Sequence, residues 1–412
     1  MIKVCDAIMG SGKSSAAITL MNEHPDQKYI YITPYIEEAK RIRKSCPGLN
    51  LVEPKRKPEF HGSKTLHTID LVKQDKNVST THQAFRHYPT ELLDMIREKE
   101  YTLIIDESVN VFDNIDIHPD DMKMVIDSGH AVMDETGTIS LVDSEYYGSY
   151  YKDLFNTMKT RDIVQIKWGL DKESYYYWLL PPDLFLAAPT TYILTYQFDG
   201  QDLSYLFKMY GIEYESIGVC RDELGTYRFT DGPGDLPEYV KDLPNKIHIL
   251  ENDKLNSIGD DNSSLSMNWY NKERGDVGQV KNNVYNFFNH MIRGVSSHDR
   301  MWGVYESAKT KVKGKGYSNG FVIWNERATN SYRHKRALAY CANVFMNVGH
   351  KLYFEANGVK VNEDMYALSI LVQWIWRSAI RDGEEIFLYL PSSRMRSLLQ
   401  QWIEDVSKGV RC

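Results

Sequence analysis

The chain has 412 residues, 42% apolar and 25% charged, with 26 Gly and 14 Pro. This composition excludes a disordered or collagen-like chain, and at roughly 100–200 residues per domain the length suggests more than one domain. A net charge of −7 argues against a protein that coats nucleic acid non-specifically, so any such partner must meet a local basic face. No apolar run approaches the roughly 20 residues of a membrane span. Nor does the opening Met1-Ile2-Lys3-Val4-Cys5-Asp6 read as an export signal. The five cysteines (Cys5, Cys46, Cys220, Cys341, Cys412) are far apart and form no C-x-x-C pair, which argues against a disulfide framework or a cysteine zinc site and suits a reducing cytoplasm.

Short apolar runs alternate with helix-like segments, as in α/β units around a mainly parallel sheet. Ile2–Ala7 predicts a strand, Lys13 to about Met21 a helix, Tyr29–Thr33 a strand and Ile36–Lys44 a charged helix. Asn77–Ser79 leads into Thr80-Thr81-His82, and a helix follows from about Glu91 to Glu98. Tyr101–Ile105 is continuously apolar, the pattern of a strand covered on both faces, and Thr191–Thr195 repeats it. Between them the texture changes. Tyr146-Tyr147, Tyr150-Tyr151 and Tyr175-Tyr176-Tyr177-Trp178 lie in an acidic stretch, read as an insertion over about 108–188. It predicts a small packed subdomain, with a base-stacking platform as the alternative. A second α/β unit is expected after about Tyr205. Its strands are Lys246–Leu250, Gly320–Trp324 and Ile386–Leu390, its helices Arg336–Phe345 and Tyr366–Ile380, and Ser393 caps a last helix reaching about Val406. The domains are thus 1–205 and 206–412.

Ala7-Ile8-Met9-Gly10-Ser11-Gly12-Lys13-Ser14 follows a strand and opens a helix, the context of a phosphate-binding loop. Gly10 and Gly12 let backbone amides turn toward phosphates, and the helix N-terminus adds its dipole. Ser11, Ser14 and Ser15 complete the expected nucleotide contacts. Lys13 would reach the β- and γ-phosphates and Ser14 would give its hydroxyl to Mg²⁺, making ATP and Mg²⁺ the expected cofactors. Leu103-Ile104-Ile105-Asp106-Glu107 ends an apolar strand in adjacent carboxylates at the sheet's C-terminal edge. There Asp106 would hold magnesium through water and Glu107 would act as general base on the attacking water.

With these residues the sequence resembles superfamily 2 helicases, and more closely phage-encoded helicase-like proteins. Further segments fall in the family's order. Tyr31-Ile32-Thr33-Pro34-Tyr35 looks like segment Ia, Ser79-Thr80-Thr81-His82-Gln83 like the following strand-contacting segment, and Asp106-Glu107-Ser108-Val109 like the DExx box. Leu194-Thr195-Tyr196-Gln197 sits where the coupling segment belongs, Arg327-Ala328-Thr329-Asn330-Ser331-Tyr332 looks like motif V, and Gln373-Trp374-Ile375-Trp376-Arg377-Ser378-Ala379-Ile380-Arg381 like motif VI. The resemblance implies two RecA-like domains with mainly parallel sheets, ATP hydrolysed between them, and a nucleic-acid partner, with DNA favoured over RNA and the choice left open. It also implies nucleic-acid contacts from Thr33, Pro34, Thr81, His82, Arg327, Thr329 and Asn330. The sequence departs from the family in lacking the upstream glutamine motif, in the size of its insertion, and in placing the second motif VI arginine four residues after the first, where three is usual.

On a helix, Gln373, Arg377 and Arg381 (i, i+4, i+8) share one face. Beside a phosphate loop such a pair reads as an arginine finger; Arg381 is favoured, with Arg377 steadying phosphates or organising Gln373. Structural ion pairs are the alternative. Basic charge gathers at Lys309, Lys311, Lys313 and Lys315, then at Arg327, Arg333, Lys335 and Arg336, among Trp302, Tyr317, Trp324 and Tyr332, the mixture expected of a single-strand track. The expected function is an ATP-driven nucleic-acid translocase, a helicase. A viral DNA-packaging motor and a non-motor nucleotide-binding protein are the competing classes. The oligomeric state is left open, and a monomer is compatible.

Overall fold

The computed structural model describes residues 1–142, 151–159, 161–168, 173–272, 275–326 and 331–410. They group into two compact units: the first holds 1–6, 13–234 and 347–361, the second 7–12, 235–346 and 362–412.

The first unit is built on a sheet ordered β12-β11-β1-β10-β4-β2-β3. Its strands are β1 (Ile2–Asp6), β2 (Tyr29–Thr33), β3 (Val78–Thr81), β4 (Thr102–Asp106), β10 (Thr190–Thr195), β11 (Glu215–Arg221) and β12 (Tyr227–Asp231). All neighbours are parallel except β11 and β12. Tyr29 to Ile32 and Leu103 to Ile105 are fully buried, as strands sandwiched between helical layers must be. Ala16 and Ala17 let the helix Lys13–Glu23 lie close against its neighbours.

The insertion forms its own antiparallel sheet, ordered β5-β9-β8-β7-β6, from β5 (Phe112–Ile115), β6 (Ala131–Met133), β7 (Thr138–Leu141), β8 (Ile163–Trp168) and β9 (Glu173–Leu179). Tyr176, Tyr177 and Trp178 are buried, and Tyr176 joins a core with Met122, Val125, Ile139, Phe155 and Ile163. These rings therefore pack, as the subdomain reading expects. Tyr146, Tyr147 and Tyr150 lie outside the described residues. Against this sheet, chiefly at β8, packs the helix Val348–Ala356, where His350 stacks on Phe112 with ring centroids 4.0 Å apart.

The second unit carries a parallel sheet ordered β13-β16-β15-β14: β13 (Ile247–Ile249), β14 (Arg300–Gly303), β15 (Ala337–Tyr340) and β16 (Ile386–Tyr389). Several expectations fail here and at its border. Residues 206–234 do not open the second domain: β11 pairs with β1 and continues the first sheet. The helix expected over Arg336–Phe345 is a strand in its first half, because Ala337 to Tyr340 are buried on both faces and sheet burial overrides the helix preference of Ala and Leu. Gly320–Trp324 is not a strand beyond one bridge from Phe321 to Trp302; instead the Ile323 and Trp324 carbonyls accept from Trp374 Nε1 (3.1 Å) and the Tyr340 hydroxyl (3.0 Å). The last helix, Ser393–Ser407, is capped by the Ser392 hydroxyl rather than by Ser393.

Candidate nucleotide site and nucleic-acid-facing residues

The parallel register brings one row of strand ends into line: Asp6 is opposite Thr195, and Leu194 opposite Asp106. After β1 the chain enters the predicted loop, with Gly10 at φ +83° and Gly12 at φ +94°, a left-handed backbone open to glycine at little steric cost. The loop is followed at once by the helix beginning at Lys13. Lys13 and Ser14 are half-buried at its first turn, and Ser15 is exposed.

Ser14 Oγ donates to Asp106 Oδ2 at 2.9 Å, although the residues stand 92 positions apart. The Tyr31 hydroxyl donates to the same oxygen at 2.9 Å. Burial and the neighbouring Glu107 charge push the Asp106 carboxyl up to about 6, and the Tyr31 phenol lies well above its ordinary range, chiefly through burial. The sequence pointed to Ser14 and Asp106. Tyr31 was missed as a site residue, although a tyrosine inside a doubly covered strand needs a partner for its hydroxyl.

Glu107 adopts φ +67°, uncommon for a residue with a side chain, and its N–H donates to the Leu194 carbonyl at 2.8 Å. This turns the chain off β4 while keeping it tied to β10. On the other side of β10, the Asp6 carboxylate accepts from the backbone N–H groups of Gln197 (2.7 Å) and Phe198 (2.8 Å). His82 Nε2 lies 2.9 Å from the Asp106 carbonyl oxygen, so His82, expected on the nucleic-acid path, adjoins the end of β4. Thr81 and Pro34 are half-buried at strand ends, whereas Thr33 is fully buried and its hydroxyl has no hydrogen-bond partner.

In the second unit the loop residues 7–12 are met by Tyr239, whose hydroxyl donates to the Met9 carbonyl, and by Trp376, whose Nε1 lies 3.8 Å from where a Cβ on Gly10 would stand. Neither was anticipated, and nothing in the local sequence of Tyr239 signals it. Motif VI also differs from expectation. Its helix spans Glu363–Ile375 and ends at Trp376, followed by a short 3₁₀ turn over Ala379–Asp382. Gln373, Arg377 and Arg381 therefore do not share one helical face. Gln373 and Arg377 are buried at 2% and 5% exposure, while Arg381 is exposed, which removes the helical ground for preferring Arg381.

Arg327, Thr329 and Asn330 lie outside the described residues. Arg333 is exposed and paired with Asp382, with Nε 2.9 Å from Oδ2; Arg336 is exposed and its Nε donates to the Glu385 carbonyl at 3.3 Å. Trp302 and Tyr317 are core residues, at 0% and 1% exposure, and cannot stack on bases. The lysines at 311, 313 and 315 are exposed, and Lys309 pairs with Glu306 at 2.8 Å.

At the helix start a hydroxyl and a carboxylate converge; in the second unit Ser11 Oγ and Trp376 Nε1 are buried without partners. Ser14 and Asp106 would hold Mg²⁺, whose charge would offset that of the phosphates. Among the described residues, no group of three or more His, Cys, Asp and Glu could hold a metal ion, and no helix is long and apolar enough to cross a membrane.

The fold is that of two RecA-like α/β units on mainly parallel sheets. It is similar over its full length to the structure of an XPD helicase (TM-score 0.54, 10% identity, 100% of this chain and 95% of the other). Xpd4 of S. tokodaii is a second such structure (TM-score 0.51, 12% identity, 99% and 94%). Residues 241–403 match the YonV C-terminal Rossmann-like domain. A relative 38% identical over 416 residues, covering 98% of this chain and 99% of its own, is the SPbeta prophage-derived uncharacterized protein YonV of Bacillus subtilis strain 168. The chain belongs to the YonV family.

Proposed function

We propose that the protein is an ATP-dependent nucleic-acid translocase, a helicase, that couples hydrolysis at the 7–14 loop to movement along a strand. The observation carrying this reading is the 2.9 Å contact between Ser14 and Asp106, which joins the end of the phosphate loop to the DExx carboxylate. Lys13 holds the β- and γ-phosphates, Ser14 and Asp106 the metal, and Glu107 accepts the proton of the attacking water. Arg377, buried beside Trp376 in the unit that contains residues 7–12, is the better candidate to meet charge developing on the γ-phosphate. Support for a polymer partner comes from the helicase fold and from exposed Arg336, Lys311, Lys313 and Lys315. DNA is the proposed polymer. The test is the ATPase rate of the protein with and without single- and double-stranded DNA and RNA. Stimulation by DNA is expected; stimulation by RNA alone would correct the partner. Near-normal turnover in folded Lys13→Ala protein would overturn the reading.

A further inference from the structure

Trp376 is 3% exposed, yet its indole N–H has no hydrogen-bond partner. An indole can only donate, so a neighbouring donor cannot satisfy it; it needs an acceptor. Leaving such a group buried and unmet is costly to the folded state. The ring is held in place. Tyr239 packs against it at 5.5 Å between centroids, with the planes 47° apart, and Trp402 meets it edge-on at 6.5 Å. Tyr239 is itself fastened to the loop through the Met9 carbonyl, and Nε1 lies 3.8 Å from the Cβ position of Gly10. A second buried group at the same loop, Ser11 Oγ at 6% exposure, also lacks a partner. One helical turn before Trp376, both polar atoms of the Gln373 amide are buried and unmet.

We infer that Trp376 is a nucleotide ligand: its indole N–H donates to a phosphate oxygen of the nucleotide held in the 7–14 loop, flanking the turn at Gly10. A phosphate chain supplies acceptors both for the indole N–H, which can only donate, and for the serine hydroxyl, which can donate or accept. Tyr239 acts as a positioning residue, setting the indole against the loop through the Met9 carbonyl. The inference rests on the proposed nucleotide site and adds to it a donor from outside the loop itself.

Equilibrium binding of ATP and ADP with Mg²⁺ to the full chain tests it, in parallel for wild type, Trp376→Phe, Trp376→His and Lys13→Ala. Removing one hydrogen bond to a charged acceptor should weaken binding by Trp376→Phe about ten- to a hundredfold. Histidine, which keeps a ring N–H, should recover part of the loss. In wild type labelled with ¹⁵N-tryptophan, nucleotide should shift the indole resonance that is missing from the histidine variant. That measurement stands even if the phenylalanine variant fails to fold. Unchanged affinity in folded Trp376→Phe, or an unshifted Trp376 resonance at saturating nucleotide, would overturn the inference while leaving the site intact if Lys13→Ala still abolishes binding. Wild-type affinity in Lys13→Ala would instead overturn the nucleotide site itself.

Discussion

The carboxylate edge of the first sheet and the buried polar groups of the second unit are built on opposite terms. Asp106 is already met by the hydroxyls of Ser14 and Tyr31, and Asp6 by two backbone amides. By contrast Ser11 Oγ, the Gln373 amide and Trp376 Nε1 are buried without partners. The first arrangement is complete in the protein alone and fixes geometry. On the reading proposed above, the second is completed by the nucleotide. Fixed groups lower the reorganisation needed during reaction, whereas unmet ones tie folding energy to ligand.

Substitutions can break this contrast, starting with Arg377. If it meets the γ-phosphate, Arg377→Ala should slow single-turnover hydrolysis by roughly 10³–10⁵, and Arg377→Lys should restore little because the planar fork is lost. Arg381→Ala, at an exposed turn, should have a far smaller effect; the reverse order would return the finger to Arg381.

Glu107 tests the complete edge. Glu107→Gln should retain nucleotide and magnesium affinity while hydrolysis falls by roughly 10²–10⁴. An equal loss of affinity would make Glu107 a binding group. Its left-handed backbone, at φ +67°, stores strain of order 1–3 kcal/mol, which its position between β4 and the Leu194 carbonyl must sustain.

His350 sharpens the comparison through stability. Burial against Phe112 pushes its imidazole down to about 4 from 6.5, so the unfolded chain binds a proton that the folded chain refuses. Its contribution is therefore intact above about pH 6.5 and lost as pH falls toward 4, amounting to about 1–3 kcal/mol. His350→Phe keeps a ring on Phe112 and should flatten denaturant-measured stability across that window; parallel wild-type and variant curves would contradict this.

The smallest expected effect lies in the basic segment. Arg336→Ala should lower the slope of log affinity for DNA against log salt by about 1. Arg333→Ala should change it less, because Asp382 already pairs with that guanidinium. Equal changes would mean that the ion pair opens on binding.

What the sequence made legible follows from how local each signal is. The glycines of the loop, the apolar run closing on Asp106-Glu107, and the strands Tyr29–Thr33 and Thr191–Thr195 are patterns of contiguous residues; the structure places them as expected, the last beginning one residue earlier at Thr190. Residues 337–340 were misread because four buried residues show no period and Ala and Leu favour helix in isolation. The continuation of the first sheet into β11 depends on pairing with β1, more than 200 positions earlier, and no window of sequence contains both strands. Tyr239 and Trp376 reach the loop only through folding of the second unit. The aromatics of the basic segment failed differently: Trp302 and Tyr317 sit between charges in sequence but inside the core in space.

One carboxylate has a mechanical consequence. Asp6 ends β1, one residue before the 7–14 loop, and both of its oxygens are taken by the backbone that leaves β10 at Gln197 and Phe198. The root of the loop and the exit of β10 are thus clamped as one stiff bracket, bolted by a side chain where the strand ladder gives out. A displacement of residues 197–198 would carry the loop's root with it at hydrogen-bond stiffness. Asp6→Asn, whose amide offers one acceptor oxygen in place of two, would convert the bracket into a hinge.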